Sequence, residues 1–118
     1  MYDEHNIFAK ILRGEIPCDK VSENDSYLAF KDINPQADVH VLVIPKRAYV
    51  SLDDFTSKAS DEEILGFWRG VRSVAEQIGV IGAGFRIVAN HGANANQEVP
   101  HFHVHVLGGQ NLKGLLPG

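Results

Sequence analysis

Three of the six histidines, His101, His103 and His105, stand at alternate positions within five consecutive residues. In an extended chain successive side chains point to opposite faces, so these three imidazoles share one face while Phe102, Val104 and Val106 share the other. Such a row admits two chemistries. In a metal site, neighbouring histidines roughly 6.6 Å apart along the strand can share one Zn²⁺ at bond lengths of roughly 2.0–2.1 Å. The third is harder to bring to the same ion, because His101 and His105 start roughly 13 Å apart on a straight strand. His40, on another segment, could complete a His₃ set. In a nucleophile site, a neutral imidazole attacks phosphorus near pH 7, and its histidine neighbours hydrogen-bond phosphoryl oxygens or protonate the leaving group. That second chemistry needs something to fix the tautomer of the attacking ring, commonly a backbone carbonyl. It uses all three positions. Polar decoration of an exposed strand explains the row less well, since Thr, Lys or Glu would serve there.

The surrounding sequence supplies the elements that must hold this row. Ile7, Phe8, Ile11 and Leu12 recur at helical spacing before Gly14 and Pro17, which predicts a short N-terminal helix. Asp19 to Asp32 reads as a hairpin turning at Glu23-Asn24-Asp25-Ser26, and Val39 to Pro45 as a central strand buried on both faces. A long helix is predicted from Asp61 to about Ile78, with Ser60 and Glu63 as a capping box and Gly79 as the stop. Its apolar stripe is read as Ile64, Leu65, Trp68, Val71, Ala75 and Ile78. Gly84 to Asn90 and His101 to Leu107 read as two further strands, flanking a polar loop from His91 to Glu98 that suits ligand binding. The apolar row of the histidine strand can then pack on the long helix. The expected fold class is α+β, a five-stranded, mainly antiparallel sheet with one long helix and a short N-terminal helix.

Composition narrows the functions that such a fold can serve. The 118 residues fit a single domain spanning 1–118, with 44 % hydrophobic and 22 % charged side chains, so a disordered chain or a fibre is excluded. A formal net charge of −4 argues against sequence-blind nucleic-acid binding, though not against a pocket for one nucleotide. Cys18 is the only cysteine, which rules out an intrachain disulfide and a Cys-rich zinc site and suits a reducing compartment. The start Met1-Tyr2-Asp3-Glu4 is acidic, and the longest uninterrupted apolar run, Val41 to Pro45, is far from the roughly 20 residues that span a bilayer. The expectation is a cytoplasmic protein with no membrane or nucleic-acid partner.

The segment His101-Phe102-His103-Val104-His105-Val106-Leu107 matches in full the His-φ-His-φ-His-φ-φ signature, φ being apolar, and so resembles the histidine triad (HIT) family. Ile7-Phe8, Gly14-Glu15-Ile16-Pro17, Asp32-Ile33-Asn34-Pro35-Gln36-Ala37, His40 to Lys46 and Gly108-Gly109 are similar, in order and spacing, to its nucleotide-binding branch. The resemblance covers nearly the whole chain. It implies a HIT-like fold, a homodimer whose two sheets join, and hydrolysis of purine nucleoside 5′-phosphoramidates through a covalent nucleotidyl-histidine. It places the nucleophile on His103, phosphate and bridging-atom contact on His105, a main-chain carbonyl orienting the nucleophile on His101, and a supporting histidine at His40. Asp32 matches the residue that holds the ribose hydroxyls, although as residues alone it reads equally as the start of a turn. Ile7, Phe8, Phe30 and Ile33 match the walls around the base; residues alone would make all four core.

Asn90, Gln97 and Val99 match the phosphate-side loop. Glu98 departs from the animal pattern, which has a serine there; a carboxylate beside phosphate must turn away, stay protonated or help place the leaving amine. The tail Leu112 to Gly118 lacks the tryptophan of the animal proteins, which bears on the choice of leaving group. His5 and His91 receive no role. The resemblance requires no cofactor, and no metal is assigned; zinc stands as the alternative use of the histidines. The ligand expected is a purine nucleoside monophosphate or phosphoramidate. The alternative functions are a dinucleoside polyphosphate hydrolase of the same superfamily and a nucleotide-binding scaffold with incidental hydrolysis.

Overall fold

The computed structural model describes residues 2–114. Helix α1 (Ile7–Leu12) is capped by Asn6, whose side-chain oxygen accepts the Ala9 N–H. Strands β1 (Lys20–Glu23) and β2 (Tyr27–Lys31) form the expected hairpin, where the Asn24 side chain accepts the Ser26 N–H at 2.8 Å and so closes the turn. Strand β3 (Val39–Pro45) follows, then helices α2 (Leu52–Lys58) and α3 (Asp61–Gln77), strand β4 (Arg86–Val88), a 3₁₀ turn (Ala93–Ala95) and strand β5 (Val104–Gly108). The five strands form one sheet in the order β1-β2-β3-β5-β4, and every pairing is antiparallel. The α+β expectation holds, with β3 at the centre and six of its seven residues buried.

Period-two alternation divides the sheet between two apolar clusters. On one face Tyr27, Ala29, Val41, Val43, Val104 and Val106 meet Phe67, Val71, Val74 and Ala75 of α3, together with Phe55 and Phe102. On the other, Leu28, Phe30, Leu42 and Ile44 pack with Phe8 of α1. The capping box at Ser60 and Glu63 forms as expected.

Four features differ from the sequence reading. The stripe of α3 is rotated: Phe67 and Val74 are fully buried, whereas Leu65 is 54 % exposed, because 67, 70, 71, 74 and 75 form the face nearest the sheet. Helix α2 was not expected, since Phe55 is its only buried residue and so short a stretch shows no periodicity. Strand β4 has three residues rather than the seven of Gly84 to Asn90. Strand β5 begins at Val104 rather than His101. Its ladder with β3 ends at the pair Val43 and Val104, just before Pro45, which has no N–H to offer. Residues 115–118 of the tail lie outside the described residues.

Helix and sheet approach closely at Gly70, where a Cβ would lie 2.3 Å from Cδ1 of the buried Tyr27 ring. Gly70→Ala is expected to overpack this contact and lower stability by about 1–3 kcal/mol, against the usual helix-propensity gain. Urea unfolding measures it; a stabilised variant would contradict the close approach.

Candidate active site

The register of the central strands sets the site. Phe30 of β2 pairs with Leu42 of β3, and Leu42 with His105 of β5, so all three side chains lie on the α1 face. His40 pairs with Leu107 on the same ladder, one step along the diagonal from His105, and their rings meet with His40 Nε2 and His105 Nδ1 2.8 Å apart. The backbone N–H of Gln36 donates to His40 Nδ1 at 3.0 Å. In neutral His40 the proton therefore sits on Nε2 and is donated to His105 Nδ1. His105 in turn keeps its own proton on Nε2. Asp32 Oδ2 lies 3.3 Å from His40 Nε2, while its Oδ1 accepts the Asn34 N–H at 2.8 Å and shapes the turn before β3.

His101 and His103 precede β5, free of the ladder, and a different set of bonds holds them. The Phe102 N–H donates to the Tyr49 carbonyl at 2.7 Å, which keeps the segment extended and its side chains alternating. His101 is fully buried; its Nε2 donates to the Pro45 carbonyl at 3.0 Å. The His101 carbonyl accepts from His103 Nδ1 at 2.7 Å. That bond leaves His103 Nε2 with a bare lone pair. Phe8 stands edge-on to the His103 ring at 5.0 Å between centroids, and the His105 ring follows at 5.1 Å.

A cleft of about 1080 Å³ opens beside these rings. Of the residues expected at the site, His40, His103, His105, Asp32, Asn90, Glu98, Val99, Ile7, Phe8, Phe30 and Ile33 all line it. Ile33 is 91 % exposed and Ile7 is 48 % exposed, so the core reading of those two fails and a wall open to a ligand fits them. His101 does not line the cleft, so the triad is not a row of three imidazoles facing one ligand; it presents two and buries the third. Gln97 is also off the cleft wall. Its side chain accepts the Gly92 N–H and donates to the carbonyls of Val50 and Val99, which ties down the loop that carries Asn90, Glu98 and Val99. His5 and His91 are exposed, as expected of residues without a role.

The sequence of residues 13–112 matches the family model described as the HIT domain. The chain belongs to the HIT family. It is 57 % identical to an uncharacterized HIT-like protein of Azospirillum brasilense, covering 94 % of this chain and 91 % of the relative. It is 41 % identical to the purine nucleoside phosphoramidase of Escherichia coli K12, covering 96 % of this chain and 94 % of that protein. Among solved structures, a HIT family hydrolase from Legionella pneumophila superposes with a TM-score of 0.87 at 36 % identity, covering 97 % of this chain and all of the other.

The HIT cleft of this chain also includes residues that sequence reasoning missed. Ile11, Ile16, Pro17 and Cys18 extend its apolar wall, and Asp19, Lys31, Asn34, Gln36, Ala95 and Asn96 line its rim. Ile11 carried a signal only as part of the helix, and Ile16 and Pro17 only as the helix stop and within a segment similar to the nucleotide-binding branch, with no site role attached. Zinc would find its ligands elsewhere than in the triad: Asp32, His40 and His105 each offer an atom within 4.8 Å of the others. Tetrahedral zinc holds its ligands roughly 3.3 Å apart. The 2.8 Å between His40 and His105 is a hydrogen-bond distance, so an ion there has to spread this pair and take the proton they share.

Burial pushes all four imidazoles below the ordinary histidine value of 6.5. His101 and His105 are pushed down to about 4, the bond to Pro45 opposing burial at His101 and the neighbouring His103 and His40 adding to it at His105. At His103 burial outweighs the favourable bond to the His101 carbonyl and the charges of Asp32 and Glu98. All four are therefore neutral at pH 7.

The same shifts give the pH dependence of stability. Between about 4 and 6.5 the unfolded chain holds protons on His101 and His105 that the folded chain does not, so stability rises with pH across this window and is lost as pH falls through it. Near pH 5, unfolding should let this pair take up about two protons from solvent, seen as a falling urea midpoint between pH 7 and pH 5. A midpoint that stays flat over that range would show that the imidazoles titrate normally.

Proposed function

We propose that the protein hydrolyses the P–N bond of purine nucleoside 5′-phosphoramidates through a covalent nucleotidyl intermediate on His103. One observation carries the reading: the 2.7 Å bond from His103 Nδ1 to the His101 carbonyl aims a bare Nε2 lone pair into a nucleotide-sized cleft. In the first step this lone pair forms an N–P bond as the P–N bond to the amine breaks, and the amine takes the Nε2 proton of a His105 that the bound phosphoryl anion has already brought to its cationic form, which leaves that ring neutral. In the second step water attacks phosphorus as the N–P bond to His103 breaks, the water proton passes to neutral His105 and restores its cationic form, and the nucleoside monophosphate leaves with His103 neutral again. No metal or organic cofactor takes part. The activity for which the Escherichia coli relative is named and the hydrolase neighbour support the reaction class. Ile7, Phe8, Phe30 and Ile33 offer an apolar slot wide enough for a purine. Asp32 is assigned to the ribose hydroxyls, Asn90 and Val99 to the phosphate side, Gln97 to support of that loop, and Glu98 to the side of the cleft where the leaving amine departs.

His103→Ala should lower turnover of an adenosine phosphoramidate by at least about a thousand-fold. Rapid acid quench of the parent should trap one nucleotidyl group on His103. Parental turnover by the variant defeats the reading. Faster turnover of a dinucleoside polyphosphate than of any phosphoramidate favours the alternative hydrolase, and AMP binding with no turnover favours a binding protein.

A homodimer is the proposed assembly. Strand β4 lies at the sheet edge, where Ile87 is 46 % exposed, with Phe85 at 40 % and Ile81 at 44 % nearby. An unpaired apolar edge of this kind favours joining a second copy. Ile87→Lys should shift sedimentation at micromolar concentration from dimer to monomer. An unchanged sedimentation coefficient would place the interface elsewhere.

A further inference from the structure

The buried ring of His101 has two nitrogens to satisfy, and the catalytic reading uses neither. Nε2 donates to the Pro45 carbonyl, so in the neutral ring Nδ1 is an acceptor sealed from water. The hydroxyl of Tyr2 lies 2.6 Å from it. A phenol donates its proton where an imidazole nitrogen has only a lone pair, and the direction of the bond is thereby set. The Tyr2 ring stands edge-on to His101, 5.6 Å between centroids, and Phe8 flanks His101 as well at 6.4 Å. Residues 2–6 are themselves tied down: the buried Asn6 donates through both its backbone N–H and its side-chain amide to the Asp3 carbonyl, while its side-chain oxygen caps α1. Tyr2 precedes the matched segment 13–112, so the contact joins a residue outside the HIT domain match to one within it.

We propose that Tyr2 is a positioning residue for His103, acting through His101. The inference rests on the reading of His103 as nucleophile. The chain of contacts runs from the Tyr2 hydroxyl to His101 Nδ1, from His101 Nε2 to the Pro45 carbonyl, and from the His101 carbonyl to His103 Nδ1. With the hydroxyl gone, His101 Nδ1 is a buried acceptor without a donor. The ring then gains by moving its proton to Nδ1 or by turning, and either change gives up the Pro45 bond that holds its backbone in place. The His101 carbonyl loses its fixed aim, and with it His103 loses its single tautomer.

Tyr2→Phe in the full chain keeps the ring and removes only the hydroxyl. Imidazole ¹⁵N spectra without substrate should show His101 as one Nε2–H tautomer in the parent and as a mixture in the variant. With adenosine phosphoramidate, kcat should fall about five- to ten-fold, the size of one lost buried hydrogen bond, while KM stays within about two-fold. Tyr2→Ala should lose no more kcat than about twice what Tyr2→Phe loses. Parental kcat in Tyr2→Phe overturns the proposal, and so does a deficit confined to Tyr2→Ala, which would make the ring a packing element. Unchanged ¹⁵N spectra also overturn it, whatever the kinetics. Turnover retained by His103→Ala removes the nucleophile reading and this role with it, and the substrate-free spectra distinguish that failure from a missing Tyr2 contact.

Discussion

The structure of the site depends on one hydrogen bond within three residues, from His103 Nδ1 to the carbonyl of His101. For that carbonyl to be available it must not serve a β-ladder. Pro45 ends the β3–β5 ladder just before this segment, because in register it faces Phe102 and has no N–H to give that residue's carbonyl. The Pro45 carbonyl then becomes the acceptor for His101 Nε2. One imino acid thus ends the ladder short of His103 and anchors the His101 side chain. Extended geometry survives through the single bond from Phe102 to Tyr49, so Phe102 still enters the aromatic cluster, stacked on Phe55 at 5.1 Å, while His103 faces the cleft.

Two backbone groups therefore decide two tautomers. The His101 carbonyl puts the His103 proton on Nδ1, and the Gln36 N–H, acting through His40, puts the His105 proton on Nε2. Adjacent imidazoles are left in opposite states, a lone pair on one and a proton on the other, both facing the same space. Side-chain orienters could do the same, but each would have to be ordered in turn at some loss of rotamer freedom. Main-chain groups of β3, its preceding turn and the segment before β5 are ordered by the sheet itself.

Much of this was legible in the sequence where the signal is local. Asn24 in its turn, the Ser60–Glu63 box and the run Val39 to Pro45 each act within a few residues, and each element formed where expected. The alternation that separates Phe102 from His103 was legible for the same reason. What the sequence did not disclose arises between elements. Nothing around His101 announces that Pro45, 56 positions away, shortens its strand and removes it from the cleft. Helix α2 is held by Phe55 meeting Phe67 and Phe102, a tertiary contact with no periodic trace. Leu65 and Phe67 are equally apolar, and only the direction of the sheet decides that the second is buried. Gln97 reads as a polar loop residue beside a ligand; it is instead the bracket of the loop, because three backbone groups need its amide.

The net charge of −4 and the histidine-rich site fit together through linkage. A phosphate pocket built from lysine or arginine holds its cations permanently, and without ligand they repel one another or need carboxylate partners. The imidazoles here are held neutral by burial, so the empty cleft carries no stacked positive charge. An arriving phosphoryl anion raises the affinity of the same rings for a proton, and the cationic form appears only when there is an anion to face it. Asp32 sits 3.3 Å from His40 Nε2, the same nitrogen that meets His105, and its carboxylate favours the same protonation. A ligand hydroxyl that donates to Asp32 weakens this support, so on the proposed assignment of Asp32 to ribose, sugar binding and the proton affinity of the His40–His105 pair would be thermodynamically linked. On the proposed function, binding the sugar end of a nucleotide would loosen the proton that the phosphate end has attracted, at the ring proposed to give it away.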